Sequence, residues 1–254
     1  MSIIRFVTLS WEQCKDVYGR VTKMRIRPIL LNGDMVRAIL DGRKTCTRRV
    51  IKPQLEECPN CKHVHNEYIY DKMAENVYCA RCGYPLVPER RVPYQPGDIL
   101  YVRETWCGWY LPLVGMHYCY RATEPDGNKR PTSPEYDCDV EKISWHPSIH
   151  MPKEAARIWL KVTDVRVERL QSITEEGAIR EGAEGEKCHH TNAGAFGCID
   201  CMNTGWIEPP QVEFMQIWDS TIKKSDLDRY GWDANPYVFV IQFVKSDRPE
   251  ESEK

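Results

Sequence analysis

The run Gly42-Arg43-Lys44-Thr45-Cys46-Thr47-Arg48-Arg49 puts an ammonium, two threonine hydroxyls and three guanidiniums at one bend of the chain. A cation and a hydroxyl beside a planar, two-pronged guanidinium suit a polar ligand bearing a carbonyl or a phosphate. Hydrolysis of an amide needs a nucleophile, a base, and donors for the developing oxyanion. Thr47 would attack the acyl carbon or position the water that does. Lys44 would either take the threonine proton or stay charged and hold the oxyanion. The plainer reading is a helix end followed by a basic strand, with Thr47 a β-former and Lys44 facing solvent.

A second chemistry lies in the cysteines. Of the twelve, seven fall into paired clusters, and Cys14, Cys46, Cys107, Cys119 and Cys138 are scattered as ordinary thiols. Cys58-Pro-Asn-Cys61 and Cys79-Ala-Arg-Cys82 are Cys-x-x-Cys knuckles separated by 17 residues. Four thiolates so spaced close a tetrahedral zinc site and fold a short ribbon that has little core of its own. Iron–sulfur ligation is the alternative. Cys188-His189-His190 with Cys198-Ile-Asp-Cys201 offers a second zinc set of Cys188, Cys198, Cys201 and one histidine, with His190 the easier ligand than His189. Both sets look closed, which points to structural metal.

These groups need elements to hold them. Ile26–Leu31 reads as a strand, Asp34 as the cap of a helix facing inward with Met35, Val36, Ile39 and Leu40, and Gly42 as its stop. The chain is then extended through Val50-Ile51. Pro96-Gly97-Asp98 is a tight turn feeding a strand at Ile99–Val102, and Met116–Arg121 is a further strand. Ile158–Val167 alternates as a long strand. Ser172 or Thr174 caps a short acidic helix, Glu175–Glu181, that ends at Gly182. Phe214, Met215, Ile217, Trp218 and Ile222 recur at helical spacing over Val212–Lys223, and Tyr237–Val244 is an apolar strand. Short strands with a few small helices predict an α+β chain built as a compact β-barrel.

The expected organisation is an extension at 1–23, a single domain at 24–245 and a charged tail at 246–254. The domain is interrupted by a ribbon insertion at 53–95 and a second Cys/His insertion at 183–210. Met24 opens a fresh start and is an expected alternative initiator. Residues 1–55 hold 12 Lys and Arg against 4 Asp and Glu, a surplus of +8, so a net charge of −2 leaves −10 on the rest. The basic segment could attract phosphates, though the whole chain is no general polyanion binder. No apolar run approaches membrane-spanning length and no signal peptide is visible, so the expectation is a cytoplasmic protein without a membrane partner.

The helix, the Gly-Arg-Lys-Thr-x-Thr-x-Arg motif, the Pro-Gly-Asp strand and the last strand together resemble the ASCH domain family of PUA-like β-barrels. That family is associated with RNA or nucleoside chemistry. Its general motif, Gly-x-Lys-x-x-Glu-x-Arg, maps onto Gly42, Lys44, Thr47 and Arg49, with Thr47 where the family has Glu. A bacterial subgroup that hydrolyses N4-acetylcytidine shares this threonine, and its catalytic set is the lysine, the threonine and a downstream glutamate. That glutamate follows a Leu-Thr-Glu segment, which Ile173-Thr174-Glu175 resembles, and the spacing falls on Glu181. The resemblance covers 34–50, 96–103, 165–182 and the final strand, and the layout is also similar to ASCH-containing proteins of phages and prophages.

It implies Lys44, Thr47 and Glu181 as catalytic residues, Glu181 acting as general base or protonating the leaving amine. Arg43, Arg49, Glu104 and Trp106 are the expected substrate-binding residues, Arg49 for base or sugar and Trp106 as a stacking surface. The implied partner is a modified nucleoside or nucleic acid. A non-catalytic RNA or DNA binder fits the same features, and so does a phage assembly or host-interaction factor whose ribbons are protein contacts.

Overall fold

The computed structural model describes residues 24–52, 54, 57–63, 68–71, 76–85, 93–111, 115–124, 145–188 and 205–249. The expected extension at 1–23 lies outside the described residues, as do His190, Cys198 and Cys201 and the end of the tail. The strands are β1 (Ile26–Leu30), β2 (Cys46–Val50), β3 (Tyr68–Asp71), β4 (Asn76–Cys79), β5 (Ile99–Arg103) and β6 (Trp106–Leu111). They continue as β7 (Gly115–Tyr120), β8 (Trp159–Arg169), β9 (Glu186–Lys187), β10 (Trp206–Glu208) and β11 (Tyr237–Ser246). The helices are α1 (Gly33–Leu40), α2 (Glu175–Glu181), α3 (Pro210–Thr221) and α4 (Leu227–Tyr230).

Five strands form one sheet in the order β1-β5-β8-β11-β2. Only β1 and β5 run parallel, and the other pairs are antiparallel. Leu160 and Val162 alternate onto the inner face of β8. A register shift opposite Gln242 and Phe243 then lets Val165 and Val167 point the same way. Without that extra residue the second half of β8 would turn its apolar side chains outward. The outer face is covered in two places. Leu170, Val238 and Val240 pack under α2 and α3 with Ala178, Phe214 and Trp218. Tyr101 and Trp159 pack with Met151, Ala155 and Ala156, joined by Trp106, Tyr118 and Tyr120 of the β6–β7 hairpin.

The chain is α+β as expected, but the barrel does not close. Among the described residues β1 and β2 are the sheet's edges, each laddered to one neighbour. The helix that joins them takes the space where they would pair: Val36 and Ile39 of α1 are buried in the main core beside Ile29 and Ile51. Each such side chain contributes about 1.5–3 kcal/mol by leaving water. Arg49 spans the remaining gap, donating from Nη2 to the Leu30 carbonyl at 2.8 Å.

Local signals moved slightly. Asn32, not Asp34, caps α1, because its Oδ1 accepts from the Met35 amide at 2.9 Å. Asp34 falls in the first turn and pairs with Arg37. Leu40, expected inward, is 36% exposed, and Ala38 is buried instead. Gly42 sits at φ +80°, the left-handed turn that stops the helix. Strand β6 was not anticipated, and it pairs with β7 from Trp106 opposite Tyr120 to Leu111 opposite Gly115.

Candidate active site and metal centre

Two turns bring the distant residues together. Thr174 caps α2 by accepting from the Gly177 amide at 3.0 Å. Gly182, at φ +101°, ends α2 against the start of β2. A Cβ at Gly182 would stand 2.9 Å from Ala38 Cβ and 3.6 Å from Lys44 Cβ, so only glycine permits this approach. Backbone bonds fix the junction: Lys44 N to Ala38 O at 2.9 Å, and Thr45 N to Arg180 O at 2.8 Å.

At that junction Lys44 Nζ donates to Glu181 Oε2 at 2.6 Å and to the Glu181 carbonyl at 2.7 Å. The Lys44 side chain is 0% exposed and that of Glu181 is 5% exposed. Arg48 Nη1 meets Glu181 Oε1 at 3.2 Å, and its Nη2 meets Glu168 Oε2 at 3.4 Å. Arg166 pairs with the same Glu168, and Arg48 also lies over the Phe214 ring at 5.7 Å. Glu181 is thus an anion between two buried cations, the pairing such burial requires. Lys44 has three N–H groups and spends two on Glu181.

Thr47 is buried and lines a cavity of about 30 Å³ with Glu181, Arg48, Arg49, Met35 of α1, and Phe214, Ile217, Trp218 and Thr221 of α3. The cavity sits at the unpaired edge of β2, between α1 and α3. On strand parity Thr47 and Arg48 point to opposite faces, yet at an edge strand both reach this space. Cys46 lies near Glu181 and keeps its thiol form: burial first, and the Glu181 carboxylate second, push it up to about 12.

Of the four expected substrate-binding residues, Arg49 alone lines that cavity. Arg43 does not line it: it donates to Gly182 O and pairs with Asp41 and Glu184. Glu104 and Trp106 lie elsewhere, because strand β5 carries them to the hairpin side of the sheet. Glu104 is 1% exposed and takes a two-pronged bond from Arg157 Nε and Nη2, both at 2.9 Å. Trp106 packs against Tyr118 and His146. Arg48 was the residue missed. The signal was strand parity: a neighbour of an inward Thr47 must point at the outer face, where α2 and Glu181 lie.

The Sγ atoms of Cys58, Cys61, Cys79 and Cys82 lie within 4.8 Å of one another. Cys58 to Cys82 is 3.6 Å and Cys61 to Cys79 is 3.7 Å. A tetrahedron with metal–sulfur bonds of about 2.3 Å has edges near 3.8 Å, so these four could hold a metal ion. The knuckle amides are in place, with Cys61 N donating to Cys58 Sγ at 3.5 Å. The Tyr84 amide, then Asn60 and the neighbouring cysteines, pull the Cys82 thiol down to about 6, partly offset by burial. Of the second set only Cys188 is described, half-buried after β9.

Among the described residues no helix is long and apolar enough to cross a membrane. The chain matches no protein-family model, no curated protein and no solved structure.

Proposed function

We propose that this chain is a hydrolase that removes an N4-acyl group from cytidine-type nucleosides or modified nucleic acid, on a PUA-like ASCH scaffold. One observation carries the reading: Glu181 lies against Lys44 at 2.6 Å and shares a cavity with Thr47. These are the residues at the positions of the lysine, threonine and glutamate in the resembling subgroup.

The chemistry runs as acyl transfer. Thr47 Oγ1 bonds to the acyl carbon and its proton passes to the Glu181 carboxylate. The carbonyl oxygen becomes an alkoxide and accepts from the third N–H of Lys44, which is covered in the closed cavity and is reached when the substrate parts its wall; Lys44 acts here as a charged donor and not as the base. When the C–N bond breaks, Glu181 returns the proton to the leaving 4-amino nitrogen. Water then splits the threonine ester, releasing the carboxylic acid. Arg49, which lines the cavity, binds the base or sugar.

A cavity of about 30 Å³ holds about one water, far short of a nucleoside. Substrate entry therefore requires Met35, Ile217 and Thr221 to swing aside. That small volume favours the second reading, a non-catalytic binder of RNA or DNA carrying a modified base. A panel of N4-acylated cytidines and deoxycytidines decides between them. Loss of the acylated absorbance band with wild-type protein supports the hydrolase. No turnover, with a salt-dependent gel shift on RNA or DNA, supports the binder.

For the four cysteines we assign zinc. All four positions of a tetrahedron are filled by protein sulfur, leaving none open for an activated water, so the metal's role is to fold the ribbon.

A further inference from the structure

A larger cavity, of about 310 Å³, lies on the other side of Arg48. It is walled by Arg48, Arg166 and Gln242 from the sheet and by Thr174, Glu176 and Arg180 from α2 and its cap. Its volume is at the lower bound of small-molecule pockets, and polar side chains make most of its wall, with Cys46 and Gly177 completing it. Two guanidiniums here have donors to spare. Arg48 Nε is buried with no hydrogen-bond partner, although the residue is only 5% exposed. Arg180 is exposed and forms no ion pair among the described residues. Arg166 is already engaged by Glu168 and Asp164.

An unpaired donor at such depth costs free energy unless something accepts from it. We infer that this cavity binds the phosphate monoester group of a small polar molecule, of the nucleoside monophosphate class. The phosphate oxygens accept from the Arg180 fork, and from Arg48 Nε once that covered side chain turns toward the cavity. The Thr174 hydroxyl accepts from the Gly177 amide and still has its own proton to donate. Glu176 would repel a bare anion, and with Gln242 it fits a ligand that also carries hydroxyls and an amide-like edge. Sugar hydroxyls donate to the carboxylate, and the Gln242 amide pairs with a base. The mixed lining therefore selects an esterified phosphate over inorganic phosphate.

The inference does not depend on deacylation, since the cavity contains neither Thr47 nor Glu181. Calorimetric titration of the full chain with inorganic phosphate, cytidine, and the four nucleoside 5′-monophosphates tests it. At least one monophosphate binds, about tenfold or more tighter than either cytidine or inorganic phosphate. Arg180→Ala, at an exposed position, weakens that binding about tenfold or more while leaving the melting temperature unchanged. Thr47→Val binds as wild type does, so loss of hydrolysis and loss of this site are separately visible. Absence of binding by every monophosphate overturns the inference. So does binding that Arg180→Ala leaves intact, or equal affinity for the unphosphorylated nucleoside.

Discussion

Replacing Glu181 by glutamine removes the single negative charge that separates Lys44 from Arg48. An amide has one acceptor oxygen and one NH₂, so either orientation turns donors toward one of the two cations. Breaking a buried ion pair from one side costs about 3–5 kcal/mol. Here the loss falls at the lower end, about 3 kcal/mol, because Lys44 keeps the Glu181 carbonyl at 2.7 Å and Arg48 keeps Glu168 at 3.4 Å. For a chain of this size that lowers the melting temperature by roughly 6–12 °C. Urea denaturation gives the free energy directly, with an unchanged slope showing that the unfolded state is the same. Adding Lys44→Met recovers part of the loss, since the orphaned ammonium is gone; a coupling of about 1–3 kcal/mol is expected. A cost below about 1 kcal/mol, or strictly additive single changes, would show that Glu181 does not hold the two cations together.

Three further outcomes follow from the same physics. Cys79→Ser removes one equivalent of zinc by metal analysis and exposes the ribbon to proteolysis; unchanged zinc would place the metal elsewhere. Glu104→Gln costs about 1–3 kcal/mol in denaturant because it removes the charge opposite Arg157, which keeps Thr123, yet leaves KM for any nucleoside unaltered; a raised KM would restore Glu104 to the substrate site. Cys46 binds its proton more tightly in the fold than unfolded, so its contribution to stability is complete below the unfolded pKa near 9 and fades as pH climbs toward about 12. Wild-type stability therefore falls more steeply from pH 9 to 11 than that of Cys46→Ala, and parallel curves would contradict this.

Where a local rule determines structure, the residues could be read directly. Thr174 and Gly182 bound α2 because a hydroxyl cap and a left-handed glycine act within one turn. Pro96-Gly97-Asp98 feeds β5, and the paired cysteines meet through their own knuckle turns. Tertiary arrangement was harder. Barrel closure depends on whether α1 lies over the sheet edges or between them, and its eight residues do not encode that. Glu104 and Trp106 follow β5 in sequence as closely as Lys44 follows α1, but the sheet carries them to its other side. Arg48 belongs to the same basic run as Arg43 and Arg49, and only the fold turns it to the outer face, onto Glu181. The match of Lys44 to Glu181 came from a family spacing, which bridges 137 residues that no local rule could span.

The hydroxyl of Thr47 is the point on which hydrolysis rests, and Thr47→Val removes it while keeping the buried shape. Initial rates with N4-acetylcytidine, measured side by side below both melting temperatures, test it directly. Wild type turns the substrate over and the variant is slower on the order of 10³-fold or more, with both proteins equally stable to about 1 kcal/mol. Equal rates in the two proteins, or a wild type that leaves every acylated cytidine untouched, would contradict this.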